Sequence, residues 1–191
     1  ATAPLGGRRL IDRMLDQIPS DVEVVVVGPD PEVERPVRVT REQPPGGGPV
    51  AAIGAGLELV HTDVVAVLAA DMPWAVPAVI GLAAEVGPED ARVPLAGGHL
   101  QGLAAVYRVS ALRRADLVAG SSMRRLLERL QIHRVEMPAV LFTDIDTPAA
   151  LAEAQRRLAI MDPDEERVDM QKWLDAVKKE LKLKGGVRVD S

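Results

Sequence analysis

Three stretches of the chain carry residue types that could do chemistry. The first is Asp71-Met72-Pro73-Trp74, which follows the apolar run Val64–Ala70. A carboxylate at the end of a buried strand is placed to hold a divalent cation, because Mg²⁺ takes one or two carboxylates and leaves room for substrate phosphates. The plainer alternative is that Asp71 caps the next turn or helix. The second is Pro44-Pro45-Gly46-Gly47-Gly48-Pro49-Val50-Ala51-Ala52-Ile53. Three glycines ahead of a helix let backbone approach a ligand closely, and a helix start favours anions. An ordinary flexible connection has the same composition, and the segment is neither a phosphate-loop signature nor a dinucleotide fingerprint. The third is Thr143-Asp144-Ile145-Asp146-Thr147-Pro148. Acids two apart on extended backbone point the same way. They form a candidate second acidic wall opposite Asp71, or else Asp146 or Thr147 simply caps a helix.

Other chemistry is poorly supported. There is no cysteine, which excludes thiol catalysis and thiolate metal sites and fits a reducing compartment. His61, His99 and His133 are scattered without metal-ligand spacing. Ser121-Ser122 lacks the context of a nucleophile and reads as a helix cap. The arginine pairs Arg113-Arg114 and Arg124-Arg125 read as solvated helix faces. A net charge of −5 and only 2% aromatic residues argue against a nucleic-acid partner. No apolar run reaches the roughly 18 residues of a membrane span.

The elements that must position these residues alternate between helix and strand. Arg8–Ile18 has helical spacing, and Val22–Val27 is a β-branched run expected as a strand covered on both faces. Val37–Val39 is a shorter strand, Val50–Val60 a helix, Val64–Ala70 a second buried strand and Pro77–Val86 a helix. Arg92–Ala96 and Leu103–Tyr107 flank Gly97-Gly98 as a hairpin or two edge strands. Helices over Ala111–Val118 and Met123–Leu130, a strand over His133–Met137, and a helix from Thr147-Pro148 to about Ile160 complete the body. The alternation predicts an α/β domain with a largely parallel sheet. All five lysines fall after residue 171, so a Lys-rich tail with an amphipathic helix over Glu165–Leu183 is expected to be a separate segment. We set the boundary at residues 161 and 162.

The order of these three stretches resembles the molybdenum cofactor guanylyltransferase family. Gly48-Pro49-Val50-Ala51-Ala52 is similar to that family's Gly-Pro-Leu-Ala-Gly loop, and Asp71-Met72-Pro73 to its strand-end Asp-Thr-Pro. Asp144-Ile145-Asp146-Thr147-Pro148 resembles its Asn-Val-Asn-Thr-Pro, with both asparagines replaced by aspartate. Gly6-Gly7-Arg8-Arg9-Leu10-Ile11 looks like the entry to its first helix, and Gln101–Arg108 like a strand near its pterin substrate. The resemblance covers roughly residues 5–160. It implies a three-layer, Rossmann-like nucleotidyltransferase fold, a mostly parallel central sheet with helices on both faces. The family's opening strand and its Arg- and Lys-bearing triphosphate loop have no counterpart here, so residues 1–161 are expected to be an N-terminally incomplete domain and 162–191 a helical extension.

What the resemblance implies chemically is transfer of GMP from GTP to molybdopterin, in its molybdenum-loaded form in the cell, with pyrophosphate released in the cytoplasm. It implies Mg²⁺ on Asp71, catalytic roles for Asp71 and Asp146, and nucleotide or acceptor contacts from Glu42, Gly47, Gly48, Pro49 and Asp144. Glu42 would accept from the guanine edge. Arg41 and Arg108 are further candidates for phosphate. The partners implied are GTP, molybdopterin and the enzymes that receive the finished cofactor, with neither nucleic acid nor membrane. A cytidylyl or phospholactate transferase, and a catalytically silent nucleotide- or partner-binding relative, remain open alternatives.

Overall fold

A computed structural model describes residues 4–160. The tail helix expected over Glu165–Leu183 lies outside the described residues.

The described residues open with a short hairpin, β1 (Pro4–Leu5) and β2 (Arg8–Arg9), turned through Gly6 and Gly7. Helix α1 (Leu10–Gln17) follows directly, so the helix expected from Arg8 begins two residues later. Arg9 pairs with Asp12 of its first turn at 2.7 Å and also donates to Pro31 O and Glu32 O. At the other end, Arg35 donates to four carbonyls, those of Leu15, Ile18, Pro19 and Val22. One guanidinium thereby satisfies acceptors that the end of α1 leaves open.

Strand β3 (Val25–Val27) pairs in parallel with β4 (Arg38–Thr40). Helix α2 (Pro49–Leu57) takes Pro49 in its first turn, where a missing N–H costs nothing. Then come β5 (Val64–Leu68), α3 (Val76–Ala83), β6 (Ala91–Ala96), β7 (His99–Leu100) and β8 (Ala104–Arg108). After them lie α4 (Val109–Arg114), α5 (Met123–Glu128), β9 (Ile132–Glu136), a 3-10 turn over Ala139–Phe142, and α6 (Pro148–Ile160). The helix expected over Ala111–Val118 stops at Arg114, and the next segment is a loop ending in Gly120 with φ of 80°. Ser122, of the two candidate serines, is the cap of α5, accepting from the Arg125 amide.

The five-stranded sheet runs β5-β8-β6-β7, with β9 on the other edge of β6. Its two faces carry two cores, which gives three layers. Alternation along β8 divides them. Ala104 and Val106 join Val79 and Leu82 of α3, Val135 of β9, and Leu141 and Phe142 of the 3-10 turn. Ala105 and Tyr107 join Val50, Ile53 and Leu57 of α2, Leu112 of α4, and Leu126 and Leu127 of α5.

Two expectations need correction. Among the described residues only the β6–β9 and β3–β4 pairings are parallel; β5–β8, β6–β8 and β6–β7 are antiparallel. The described sheet is therefore mixed, because β8 folds back between β5 and β6 instead of entering through a crossover helix. Second, the valine runs are not buried strands. Val25–Val27 and Val64–Leu68 are half-buried throughout. Each has a ladder partner on one edge, β4 for β3 and β8 for β5. Helix α2 packs on both, with Gly56 against Val27 and Ile53 and Leu57 in the core that Val65 and Val67 border.

Candidate functional site

Strand β5 delivers Asp71 to the rim of the sheet. Past Leu68 the backbone turns tightly, Met72 N–H donating to Ala69 O at 3.3 Å and Ala75 N–H to Met72 O at 3.1 Å. The turn leads into α3, whose cap is Ala75 with no side-chain hydrogen bond. Asp71 therefore does not cap α3. One oxygen of its carboxylate, Oδ1, is buried without a hydrogen-bond partner. A buried, unpartnered carboxylate oxygen is costly unless something positive or protic meets it there.

The second acidic stretch comes to meet it. Ile145 N–H donates to Asp71 O at 2.9 Å, which ties the two loops backbone to backbone. Ile145 is buried while Asp144 and Asp146 on either side are exposed, as the extended spacing predicts. Thr147, of the two candidates, is the cap of α6, accepting from Ala150 N–H at 3.1 Å. Both aspartates are thus left without that structural duty. Partial desolvation, then the charges of Asp71 and Asp146, raise the Asp144 carboxyl above its ordinary range. The charges of Asp71 and Asp146 both bear on Asp144, a repulsion that a cation would relieve. Among the described residues no group of three His, Cys, Asp or Glu side chains forms a ready metal cage. One or two carboxylates completed by phosphate oxygens is the arrangement Mg²⁺ favours, so Asp71 with Asp144 fits that ion.

The glycine loop is built differently. Gly46 and Gly48 have φ of 77° and 90°, open to glycine and strained for other residues. Gly47 is buried, and a Cβ on it would meet Ala51 at 3.0 Å, Pro44 O at 3.1 Å and Ala119 at 3.3 Å. Its carbonyl accepts from Gly120 N–H at 2.9 Å. The connection between α4 and α5 thus backs this loop, a relation the sequence signals only through its own Gly120-Ser121-Ser122 turn. Glu42 closes the loop from inside, its Oε1 accepting from Gly46 N–H at 3.0 Å. Hydrogen bonds from its own amide, then from Gly46, hold the Glu42 carboxyl below the usual range. Pro49 is exposed at the start of α2.

The remaining candidates fall in ordinary structural positions. Arg108 donates to Glu89 O at 3.1 Å and to Gly87 O, so its guanidinium holds the turn before β6 and is not a free phosphate contact. Arg114 pairs with Asp90 at 3.0 Å, and Arg113 donates to Val60 O. Arg41 is exposed, and so are His61, His99 and His133. The segment 97–103 is nearer the acids than its sequence suggests. Ala69 N–H donates to Leu103 O at 2.7 Å, so residues just after β7 border the turn that carries Asp71.

A three-layer α/β domain, with a strand-end aspartate facing a second acidic loop and a glycine loop ahead of a helix, has the nucleotidyltransferase type of architecture. Archaeoglobus fulgidus molybdopterin-guanine dinucleotide biosynthesis protein A has this fold, with a TM-score of 0.62 at 26% identity over 84% of this chain and 90% of that one. Residues 1–135 match the family described as MobA-like NTP transferase domain, and the chain belongs to that family. Among relatives, a probable molybdenum cofactor guanylyltransferase of Chloroflexus aggregans is 36% identical over 119 residues. That match covers 59% of this chain and 56% of the Chloroflexus protein, so the chain spans little more than half of that relative. One of the same description from Mycobacterium tuberculosis is 35% identical over 136 residues, 66% of this chain and 68% of that protein. No helix among the described residues is long and apolar enough to cross a membrane.

Proposed function

We propose that the protein transfers GMP from GTP to the phosphate of molybdopterin, in its molybdenum-loaded form in the cell, forming the guanine dinucleotide cofactor and releasing pyrophosphate. The observation that carries this reading is the unpartnered, buried Oδ1 of Asp71 beside the Asp144–Asp146 loop. An oxygen of the acceptor phosphate attacks the α-phosphorus, the bond to the bridging oxygen breaks, and pyrophosphate leaves with the electron pair. The acceptor is already ionised near neutral pH, so no protein base or nucleophile is required, in keeping with the exposed, scattered histidines. Both reactants are anionic, and charge neutralisation is the main catalytic task. Mg²⁺, when bound, supplies that neutralisation.

Asp71 and Asp144 would hold the ion, and Asp146 would orient the acceptor or the ion's water shell. Gly47, Gly48 and Pro49 would let backbone approach the nucleotide. Glu42 has its Oε2 and further lone pairs left for the guanine edge after binding Gly46. The names of the relatives favour guanine over cytosine as the base. The same reading takes residues 1–161 as a transferase domain and 162–191 as a separate segment. It also assigns the protein to the cytoplasm, with the enzymes that receive the cofactor as its downstream partners.

The test is a mixed-nucleotide assay of the full-length protein with molybdopterin, with products identified by mass spectrometry. GTP should be consumed in preference to CTP, with a mass gain of one GMP on the pterin. Asp71→Asn should lower turnover at least about a hundredfold with the fold retained. Preference for CTP would overturn the base assignment. Undiminished turnover in the variant would remove Asp71 from the mechanism, and nucleotide binding without turnover under any condition would favour a silent relative.

A further inference from the structure

Carboxylates of like charge do not hold themselves together, and Asp144 feels both Asp71 and Asp146. Besides the single bond from Ile145 N–H to Asp71 O, what brings the two acidic loops into register is a small core separate from the two that line the sheet. Its centre is Trp74, three residues beyond Asp71 and 3% exposed. Around it lie Leu5 of β1, Leu10 of α1, Ala154 of α6, and Ile145, the residue between the two acids. The guanidinium of Arg157, near the C-terminal end of α6, lies 4.8 Å from the centre of the indole ring. Gln17 of α1 anchors the same turn by donating to Pro73 O at 3.1 Å.

We propose that Trp74 is a positioning residue, clamped by Ile145 and Arg157, that sets the spacing between the Asp71 and Asp144 carboxylates. Removing the indole frees the Ile145 segment from the Asp71 turn, and the two carboxylates, being of like charge, move apart. The sheet should survive, because its cores are built from other residues. The consequence for cation binding rests on the reading of Asp71 and Asp144 as ligands. The consequence for the backbone does not.

The experiment has two arms on the full-length protein. Hydrogen exchange of the Ile145 amide reads the clamp directly, with the β8 amides as the control for global stability. Paramagnetic resonance with Mn²⁺ alone reads the carboxylates. In Trp74→Ala the Ile145 amide should exchange at least about tenfold faster while β8 stays protected. The dissociation constant for Mn²⁺ should rise about tenfold, the range seen when the supports of metal ligands are removed. Trp74→Phe, which keeps an aromatic ring in the core, should restore most of both. Should Trp74→Ala fail to fold, Arg157→Met decides the matter: it keeps the stem over the ring and removes the charge, and should speed Ile145 exchange about threefold.

Unchanged Ile145 protection in whichever variant folds overturns the proposal. So does Mn²⁺ affinity that is lost in Asp71→Asn yet unaltered in Trp74→Ala. If the parent protein binds no Mn²⁺, or Asp71→Asn binds it equally well, the cation reading of the site fails, and the exchange arm alone rules on the clamp.

Discussion

Strands β8 and β3 make an instructive pair. Both are short and apolar, and by side-chain preference β3, with three consecutive valines, is the better strand. Yet Ala104, Ala105, Val106 and Tyr107 of β8 are all at 0% exposure, whereas Val25, Val26 and Val27 of β3 are each half-buried. The difference lies in the neighbours. Strand β8 has β5 on one side and β6 on the other, with helices over both faces. Strand β3 has β4 on one side and α2 on one face. Burial, and with it the energy a side chain contributes, follows from what the rest of the chain packs around a strand more than from the strand's own residues.

The largest test of that contrast is Tyr107→Ala. It removes a fully buried ring and leaves Gly102 O without the phenol that donates to it at 2.6 Å. Denaturant unfolding should show a loss of about 3–5 kcal/mol. Next comes Arg35→Ala on the β3 side of the molecule. Four carbonyls lose their donor, two of them exposed to water that can replace it and two part-buried, so the loss should be about 1–3 kcal/mol. Val26→Ala should cost less than about 1.5 kcal/mol by the same measurement, since a half-buried methyl pair has less to lose. A cost for Val26→Ala equal to that for Tyr107→Ala would break the comparison.

The smallest effect sharpens it by pH. Burial raises the Tyr107 phenol above its ordinary range. The unfolded chain loses this proton near pH 10, and the folded chain resists losing it. The unfolded state therefore gains as pH rises past about 10, and stability, level below that point, falls. Tyr107 is the sole tyrosine, so phenolate absorbance at 295 nm reports it alone. The signal should appear together with loss of circular dichroism. A titration near pH 10 with the fold intact would contradict the packing of β8.

Much of the site was legible in local patterns. The i, i+2 spacing placed Asp144 and Asp146 on one side of extended backbone, with Ile145 turned inward. The apolar run ending at Asp71 put that carboxylate at a sheet rim, and Thr147-Pro148 marked the start of α6. What escaped was long-range. Nothing local in Val64–Leu68 says that its partner β8 runs antiparallel, because strand direction depends on which segment folds back beside it. Nothing near Gly47 says that Gly120 will back it from 73 positions away. The role of Trp74 is not visible in its local sequence, because its tie to Ile145 and Arg157 depends on where α6 docks. Arg108 resembled a free cation until the turn at Gly87 occupied it.

The acidic loop is the last part of the site to be made. Strand β9 ends at Glu136, and Asp144 and Asp146 follow it. At ribosomal rates of about 5–20 residues per second, the five-stranded sheet can assemble while that loop is still inside the exit tunnel. A nascent chain would then carry a finished sheet with only one of its two acidic walls, and the pair of carboxylates that asks for a cation would come together only as α6 emerges and docks.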